Sequence, residues 1–486
     1  MKILFVIPKS KTMFGEDSGT KSLPGHPHVG IASLVAFLKK NSKKSEIKIF
    51  EEQAYDFSEL KKIIRAFKPD LIGITCFSYN YRYFYDLILK IKKITKTRIV
   101  LGGPHVSALR KDVLKETKAD LAVKAEGEET LLELINELGK KTINLWKIKG
   151  LIWRQKGKII ENEDRELIKN LDSLPFPDYY AFQIEKYPCF LIKALPLMTS
   201  RGCPYGCNYC SVRLSMGRGF RPRSPENVLK EIKYWYQKGW TNFDINDDCF
   251  TLDLQRAEKI CDLIVKSKLK IKFQLYNGIR ADKVTLKLLK KLKKAGCTFI
   301  AYGCESGNEQ VLKAIGKGIK LKQVRDAVDW TNQAGIKNAV NFIIGHPTET
   351  YAQALETLSF AKSLPTNFVN FYNLVPYPGT ESFQWAKTHA HFLYPPETFL
   401  RNISYRDNLP IFETPEFTKE QRQDIMRKGF SLYEKKVLNF RLGPIMGLTL
   451  YLLTRPKMIN KLFFDFALAN RVGNRIYQFF SAKSRN

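Results

Sequence analysis

The stretch Arg201-Gly-Cys203-Pro-Tyr-Gly-Cys207-Asn-Tyr-Cys210 places three cysteines within eight residues, at C-x₃-C-x₂-C spacing. It follows the apolar run Leu195-Pro-Leu-Met-Thr199, which indicates a short strand leading into a loop rich in glycine and proline. Glycine and proline supply tight turns, so the three sulfurs are expected to approach one point. Thiolates grouped in this way bind a soft metal centre, either zinc or an iron–sulfur cluster.

The rest of the sequence bears on the choice between these two centres. A structural zinc site needs a fourth ligand, usually from a second C-x₂-C pair or a pair of histidines. No such pair follows in the sequence. Three thiolates on a four-iron cluster leave one iron open to another molecule. The motif resembles that of the radical S-adenosylmethionine (SAM) superfamily, C-x₃-C-x-aromatic-C, with Tyr209 at the aromatic position. The resemblance implies a 4Fe–4S cluster on Cys203, Cys207 and Cys210, with SAM at the open iron beside Tyr209.

Length and composition limit the class of protein. The 486 residues suggest about three domains, and a hydrophobic content of 44% is enough for full cores. Six of the nine cysteines are scattered, which argues against a disulfide framework and favours a reducing compartment. The N-terminus indicates a first strand rather than a signal peptide, and no apolar run reaches the roughly 18 residues of a membrane span. We therefore expect a cytoplasmic protein.

The formal net charge of +32 has three explanations. Lysines can form the solvated faces of helices, as the pattern Lys287-Leu-Leu-Lys-Lys-Leu-Lys-Lys294 indicates. A basic protein can also bind an anionic membrane surface or nucleic acid. The solvated faces are favoured, a membrane surface is second, and nucleic acid is disfavoured.

Residues 1–145 alternate between strand and helix patterns. Strands are predicted at Lys2–Ile7, Ile47–Phe50, Leu71–Thr75, Arg98–Leu101 and Leu121–Lys124. Helices are predicted at Val29–Asn41, Ser58–Phe67, Tyr81–Thr95 and Glu129–Gly139. This alternation predicts an α/β domain with a doubly wound, Rossmann-like parallel sheet, which binds ligands beyond the carboxyl ends of its strands.

The loops at those strand ends resemble the cobalamin-binding domain that precedes many radical SAM cores. They are Thr75-Cys-Phe-Ser-Tyr-Asn80, Leu101-Gly-Gly-Pro-His105 and Lys124-Ala-Glu-Gly-Glu-Glu-Thr130. The resemblance implies cobalamin contacts by Ser78, Gly102, Gly103, His105, Glu126 and Gly127. The D-x-H-x-x-G motif, whose histidine ligates cobalt from below, is absent. Contact between His105 and the corrin edge is therefore favoured over ligation of cobalt.

A hairpin and a proline-bearing linker are predicted for residues 146–194, and a second α/β unit for residues 195–390. Ser224 is predicted to cap a helix that has Pro225 in its first turn. Further strands are predicted at Asn242–Asn246, Lys272–Tyr276, Phe299–Cys304, Asn338–Ile344 and Phe368–Leu374. Six βα units make a partial TIM-like (βα)6 barrel, whose active site lies at the carboxyl ends of the strands.

Polar residues at those ends are candidate SAM contacts. By resemblance, Asp247 and Asp248 stand where relatives bind the methionyl amino group. Arg280, Glu305 and the turn that starts at Gly345 match other SAM-proximal segments. Each of these residues can instead be an ordinary polar group at a strand end.

Residues 391–486 are predicted to be mainly helical, with one helix over Phe417–Leu438 after Thr418 as its cap. From residue 421 onwards, 13 lysines and arginines face 3 acidic residues, a net charge of +10. Apolar residues from Ile459 to Phe480 mostly share one helical face, with basic residues roughly opposite. This pattern suits a helix on an anionic membrane, and packing onto the barrel is an equal alternative.

The resemblance covers roughly residues 1–390 and names the cobalamin-dependent radical SAM enzymes. It implies cleavage of SAM to a 5′-deoxyadenosyl radical and, in the commonest branch, methylation of an unactivated carbon. Radical cyclisation, ring rearrangement or carbon–carbon bond formation on a membrane lipid or tetrapyrrole, without net methylation, is the alternative. The expected partners are a small-molecule or lipid substrate and an external one-electron reductant of the flavodoxin or ferredoxin type. Peripheral contact with the inner membrane surface is considered through the basic C-terminus.

Overall fold

The computed structural model describes residues 1–8, 27–42, 45–52, 56–182, 194–395 and 409–453. Its first sheet has seven strands, at Lys2–Ile7 (β1), Glu46–Glu51 (β2), Leu71–Thr75 (β3), Arg98–Gly102 (β4), Leu121–Val123 (β5), Leu151–Gln155 (β6) and Lys158–Glu161 (β7). The strand order is β2-β1-β3-β4-β5-β6-β7. The first five are parallel, as predicted, and all five residues of β3 are buried because helices cover both faces. The predicted hairpin, β6 and β7, extends this sheet by antiparallel pairing.

Among its described residues, the first unit has six helices, at Val29–Asn41 (α1), Phe57–Phe67 (α2), Tyr81–Lys92 (α3), Pro104–Leu109 (α4), Asp112–Glu116 (α5) and Glu128–Leu138 (α6). The four long helices match the predicted ones within a few residues. The short helices α4 and α5 were not predicted, because five or six residues are too few to show a helical repeat. Pro104 occupies the first turn of α4, where its missing N–H costs nothing.

The second sheet has six parallel strands. They are Leu195–Leu197 (β8), Asn242–Ile245 (β11), Lys272–Leu275 (β12), Cys297–Glu305 (β13), Lys337–Ile344 (β14) and Phe368–Asn373 (β15). Between the first two lies a small antiparallel pair, Ser200–Arg201 (β9) with Arg221–Pro222 (β10). The six strands follow each other in chain order, so their carboxyl ends share one rim. The partial (βα)6 barrel is therefore confirmed.

Within residues 194–395, eight helices accompany this second sheet. They are Val212–Met216 (α7), Pro225–Tyr236 (α8), Leu254–Lys266 (α9), Leu286–Lys294 (α10), Glu309–Ala314 (α11), Leu321–Gln333 (α12), Tyr351–Ser363 (α13) and Glu381–His389 (α14). Helix α8 begins as predicted. The Ser224 side chain accepts a hydrogen bond from the Asn227 N–H, and Pro225 stands in the first turn.

The described C-terminal residues form a short strand pair, His391–Phe392 (β16) with Phe412–Glu413 (β17), and two helices, Lys419–Leu442 (α15) and Pro444–Leu453 (α16). The predicted Thr418 cap of α15 is confirmed. Gly429 lets α15 approach β15 closely, since a Cβ at this position would stand 2.6 Å from the Phe371 ring. The predicted amphipathic helix from residue 459 onwards lies outside the described residues. Among the described helices, none is long and apolar enough to cross a membrane.

Candidate cluster and cofactor site

The three motif cysteines lie on the loop between β9 and α7, and all three are free and partly exposed. The Cys210 N–H donates to the Cys207 carbonyl at 3.1 Å, which closes a tight turn. Burial, followed by repulsion from Cys207 and Cys203, raises the pKa of Cys210 to about 11. The three thiols are therefore carried by one eight-residue segment.

In the residues that the structure describes, no three His, Cys, Asp or Glu side chains gather closely enough for a single metal ion. The expectation that three sulfurs approach one point stays a prediction. A 4Fe–4S cluster has a different requirement from a single ion, because each cysteine binds a different iron. Three partly exposed thiols on one loop fit that requirement.

Cys249 is a neighbour of the cluster loop that the sequence did not single out. It is buried directly after Asp248, and its hydrogen bond with Cys203 is the main cause that lowers the pKa of Cys203 to about 6. A lowered pKa favours the thiolate, which is the form that binds metal. The only sequence signal for Cys249 is its position at the end of a barrel strand.

Asp247 and Asp248 hold the cysteine loop. Asp247 is buried, and its two oxygens accept hydrogen bonds from Thr199 N–H at 2.5 Å, Thr199 Oγ1 at 2.5 Å and Ser200 Oγ at 2.6 Å. Asp247 thus supports the start of the cysteine loop, and its contact with SAM stays a prediction. Asp248 accepts from the Gly202 N–H at 2.8 Å, directly before Cys203. Burial is the largest cause that raises its pKa.

Arg280 and Glu305 face the same rim from neighbouring strands. The Arg280 guanidinium stacks on Tyr205, 3.5 Å from the ring centroid, and donates to the Lys317 carbonyl at 2.7 Å. Glu305 has a left-handed φ of 75° and accepts from Lys317 Nζ at 2.8 Å. Lys317 itself was missed, because it lies in a loop between two helices and not at a strand end. A direct SAM contact by Arg280 or Glu305 stays a prediction.

The turn that begins at Gly345 is held by two buried charges. Gly345 has a φ of 93°, and its N–H donates to Glu349 Oε2 at 2.6 Å. Arg422 of α15 reaches the same turn, where its guanidinium donates to the Gly345 carbonyl at 3.4 Å. Burial raises the pKa of Glu349 to about 7 and lowers that of His346 to about 3. No sequence pattern pointed to Arg422, since it is one of many basic residues in the C-terminal region.

The predicted cobalamin loops lie at the carboxyl edge of the first sheet. Gly103 has a φ of 101°, and a Cβ here would stand 2.8 Å from the Cys76 carbonyl oxygen, so only glycine fits. At Gly102 an added Cβ would meet no atom within 4 Å. Open space beside this backbone fits a large ligand, as expected for cobalamin. At Gly127 a Cβ would stand 3.3 Å from the Leu34 side chain, so this glycine serves packing with α1.

His105 is buried within this edge. Its Nδ1 is hydrogen bonded to Ser78 Oγ at 3.0 Å, its Nε2 to the Tyr85 hydroxyl at 3.2 Å, and its ring stacks on Tyr81. Burial lowers the pKa of His105 to about 3, so the ring is neutral. Both nitrogens are engaged, so the geometry leaves neither for cobalt and makes His105 a support for the Ser78 loop.

Glu126 joins the two sheets. Its carboxylate accepts from Arg201 Nη1 at 2.6 Å, from Arg221 Nη1 at 2.8 Å and from the Ile168 N–H at 2.7 Å, and Glu128 accepts from Arg201 Nη2 at 2.7 Å. Both carboxylates and Arg201 are buried. Glu126 therefore has a role in docking the two units, and its contact with cobalamin stays a prediction. Arg201 begins the cysteine motif, so this contact reaches the cluster loop directly.

Comparison with known proteins identifies a family match for each unit. Residues 19–135 match the B12 binding domain, and residues 197–361 match the radical SAM superfamily. An uncharacterized methyltransferase of Pyrococcus horikoshii is 32% identical over 435 residues, which are 88% of this chain and 92% of that protein. The chain belongs to the cobalamin-binding radical SAM family. It is therefore an enzyme family member with cobalamin, a 4Fe–4S cluster and SAM as its cofactors.

Two further matches agree with this family. The anaerobic magnesium-protoporphyrin IX monomethyl ester cyclase of Rubrivivax gelatinosus is 26% identical over 79% of this chain and 70% of its own length. The solved radical SAM methyltransferase TsrM of Kitasatospora setae, with cobalamin and a 4Fe–4S cluster bound, has a TM-score of 0.70 and 15% identity. That match covers 89% of this chain and 90% of TsrM, and it confirms the fold.

Replacing Glu126 with alanine should separate the two units. The change leaves the Arg201 and Arg221 guanidinium groups without this carboxylate, and breaking a buried ion pair costs about 3–5 kcal/mol. We expect that loss in urea unfolding. The control is Glu133→Ala, which removes a partly exposed partner of Arg165 and should cost about 0–1 kcal/mol. Equal losses in the two variants would contradict the docking role.

Glu349 should make the cluster-free protein less stable as the pH rises. Its pKa is raised from 4.5 to about 7 in the folded state, so the folded protein binds the proton more tightly than the unfolded chain does. The stabilisation is complete below about pH 4.5 and is lost by about pH 7, a change of about 3 kcal/mol. The difference in unfolding free energy between wild type and Glu349→Gln isolates this effect, because His346 titrates in both proteins. A pH-independent difference would contradict it.

Proposed function

We propose that this family member methylates an unactivated carbon of a small-molecule or lipid substrate. The observation that carries the proposal is the buried contact of Arg201 with Glu126 and Glu128, which sets the cysteine loop against the cobalamin loops. Tyr209 of the cysteine motif packs against the apolar cores of both units. A substrate carbon held at this junction would lie between the two cofactor sites.

Different residues around the junction bind the cluster and position the cysteine loop. When bound, the cluster and SAM supply radical chemistry at an unreactive carbon, and cobalamin supplies the methyl group. Cys203, Cys207 and Cys210 hold the cluster, and Asp248 fixes the start of their loop through Gly202. Packing of aromatic side chains around the junction excludes water from a reactive carbon centre, which prevents side reactions.

Residues at the barrel rim suit the charged parts of SAM. The partly buried Arg280 guanidinium can attract the SAM carboxylate, and the Asp248 carboxylate can accept from the amino group. At Gly345, the left-handed turn keeps the backbone free of a side chain on the side that Arg422 approaches. These SAM contacts are proposed from the position and charge of the residues, and mutation of each residue tests them.

Ring formation without net methylation is the second candidate. It is favoured by the similarity to the magnesium-protoporphyrin cyclase, which covers 79% of this chain. Methylation is preferred because the methyltransferase of Pyrococcus horikoshii is more similar and covers nearly all of both proteins. The two reactions differ in the products of SAM, so one assay separates them.

The proposed enzyme has two kinds of partner, an external reductant and a membrane surface. An external flavodoxin- or ferredoxin-type protein would supply single electrons. Helix α16 exposes apolar side chains, with 81% of Ile445, 63% of Met446 and 54% of Leu452 accessible to water. The sequence around it, from residue 421 onwards, carries 13 basic and 3 acidic residues. Apolar side chains beside an excess of basic charge fit an anionic lipid surface.

The products of SAM test the reaction. We expect the anaerobically reconstituted enzyme, given cobalamin, a reductant and a lipid extract, to form S-adenosylhomocysteine and 5′-deoxyadenosine in comparable amounts. Deoxyadenosine alone, rising with added lipid, would favour ring formation instead. Cys207→Ala should lose the cluster and all SAM cleavage, whereas Cys261→Ala, a buried cysteine on α9, should retain both. Retained cleavage in Cys207→Ala would contradict the cluster assignment.

Membrane contact is tested by vesicle sedimentation. Replacing Ile445 and Met446 together with serine should weaken binding to vesicles containing phosphatidylglycerol at least about tenfold, because two large apolar side chains no longer leave water. Trp146, which is 59% exposed on the N-terminal unit, provides the control Trp146→Ser. Unchanged binding of the double variant, or equal binding to neutral vesicles, would contradict the lipid surface. Concentration-dependent dimers of the wild type that the double variant lacks would assign this face to a second copy.

A further inference from the structure

We propose that Lys317 sets the reduction potential of the iron–sulfur cluster by placing a buried positive charge beside the cysteine loop. The inference rests on the proposed cluster ligands. It adds a residue that neither the cysteine motif nor the strand ends contain. Lys317 acts as a positioning residue and as a fixed charge, and it does not touch the reacting carbon.

The loop that carries Lys317 is hydrogen bonded to the cysteine loop. The Asn208 N–H donates to the Ile315 carbonyl at 3.0 Å, and the Asn208 side-chain amide donates to the Ala314 carbonyl at 3.3 Å. The Cys207 thiol lies 3.8 Å from the Gly316 carbonyl oxygen. A Cβ at Gly316 would stand 2.9 Å from the Gly206 carbonyl oxygen, so the two loops touch through their backbones.

The ammonium group of Lys317 is held in place from two sides. The residue is 7% exposed, and its Nζ donates to Glu305 Oε1 at 2.8 Å and to the Tyr209 hydroxyl at 3.5 Å. Arg280 donates to the Lys317 carbonyl at 2.7 Å, which fixes the backbone of the same residue. A buried lysine with these contacts has little freedom to turn away from the cluster loop.

The surroundings keep Lys317 charged. Its ion pair with Glu305, at 2.8 Å, holds the ammonium as a cation in this buried place. The ammonium is also the end of the pair that contacts the cysteine loop, through the Tyr209 hydroxyl.

A fixed positive charge favours the reduced form of the cluster. Reduction adds one negative charge to the irons and their sulfurs, and a nearby cation stabilises that charge more strongly in a buried site than in water. The reduction potential is therefore expected to rise because of Lys317. A higher potential makes it easier for a weak external reductant to deliver the electron.

The experiment is an anaerobic redox titration of the reconstituted holoenzyme without SAM, followed by electron paramagnetic resonance of the reduced cluster. Lys317→Met should keep four irons per chain and shift the midpoint potential to more negative values. Lys317→Arg retains the charge and should stay close to wild type. Glu305→Gln removes the counter-charge and should shift the potential to more positive values. Lys436→Met removes a half-buried lysine that bonds to the Leu364 carbonyl, before β15 at the opposite end of the barrel, and should change nothing.

A variant that removes only Lys317 leaves Glu305 buried without its partner and can fail to fold. The double variant Lys317→Met with Glu305→Gln is neutral overall, and its potential should lie between those of the two single variants. Equal potentials in wild type, Lys317→Met and Glu305→Gln would overturn the inference. So would equal shifts in Lys317→Met and Lys317→Arg. A wild-type protein that takes up no iron would overturn the cluster assignment as well, whereas an intact cluster with unmoved potentials overturns only the role of Lys317.

Discussion

The buried ion pairs of Arg201 with Glu126 and Glu128 are the contact on which the rest of the site depends. Two sheets that share a hydrophobic core have to present their carboxyl edges to each other at a fixed distance. Charged groups buried without partners are costly, so Arg201 and the two carboxylates are satisfied only when the units are docked. Because Arg201 directly precedes Gly202 and Cys203, the same contact that joins the units also fixes the start of the cluster loop.

The cysteine loop is held by polar contacts from several other segments of the chain. Asp247 and Asp248 bind its first residues, the loop at Gly316 binds its middle, and the Ser382 N–H at the start of α14 donates to the Asn208 carbonyl at 3.1 Å. Supporting contacts of this kind orient metal ligands before the metal arrives. A preorganised loop would need little rearrangement on cluster binding. This explains why the strand-end carboxylates of Asp247 and Asp248 accept hydrogen bonds from the backbone of the loop.

The fold could be predicted from the sequence because secondary structure depends largely on local residue patterns. Alternating strands and helices, the Ser224 and Thr418 caps and the cysteine spacing all follow from residues near one another in the chain. The supporting contacts of Glu126 and Asp247 were not predicted, since a strand-end carboxylate has the same sequence pattern whether it faces a ligand or a buried neighbour. Lys317 and Arg422 were missed for the related reason that their partners are distant in sequence.

The placement of Arg422 changes how the C-terminal region relates to the barrel. Its guanidinium lies over the rings of Phe412 and Phe417 and reaches the Gly345 turn, so α15 completes the rim. Glu349 and Arg422 are both buried near this turn, where Glu349 accepts from the Gly345 N–H and Arg422 donates to the Gly345 carbonyl. Movement of α15 would withdraw Arg422 from the turn, and a buried polar group that loses its partner is costly. Helix α15 is therefore part of the wall of the site.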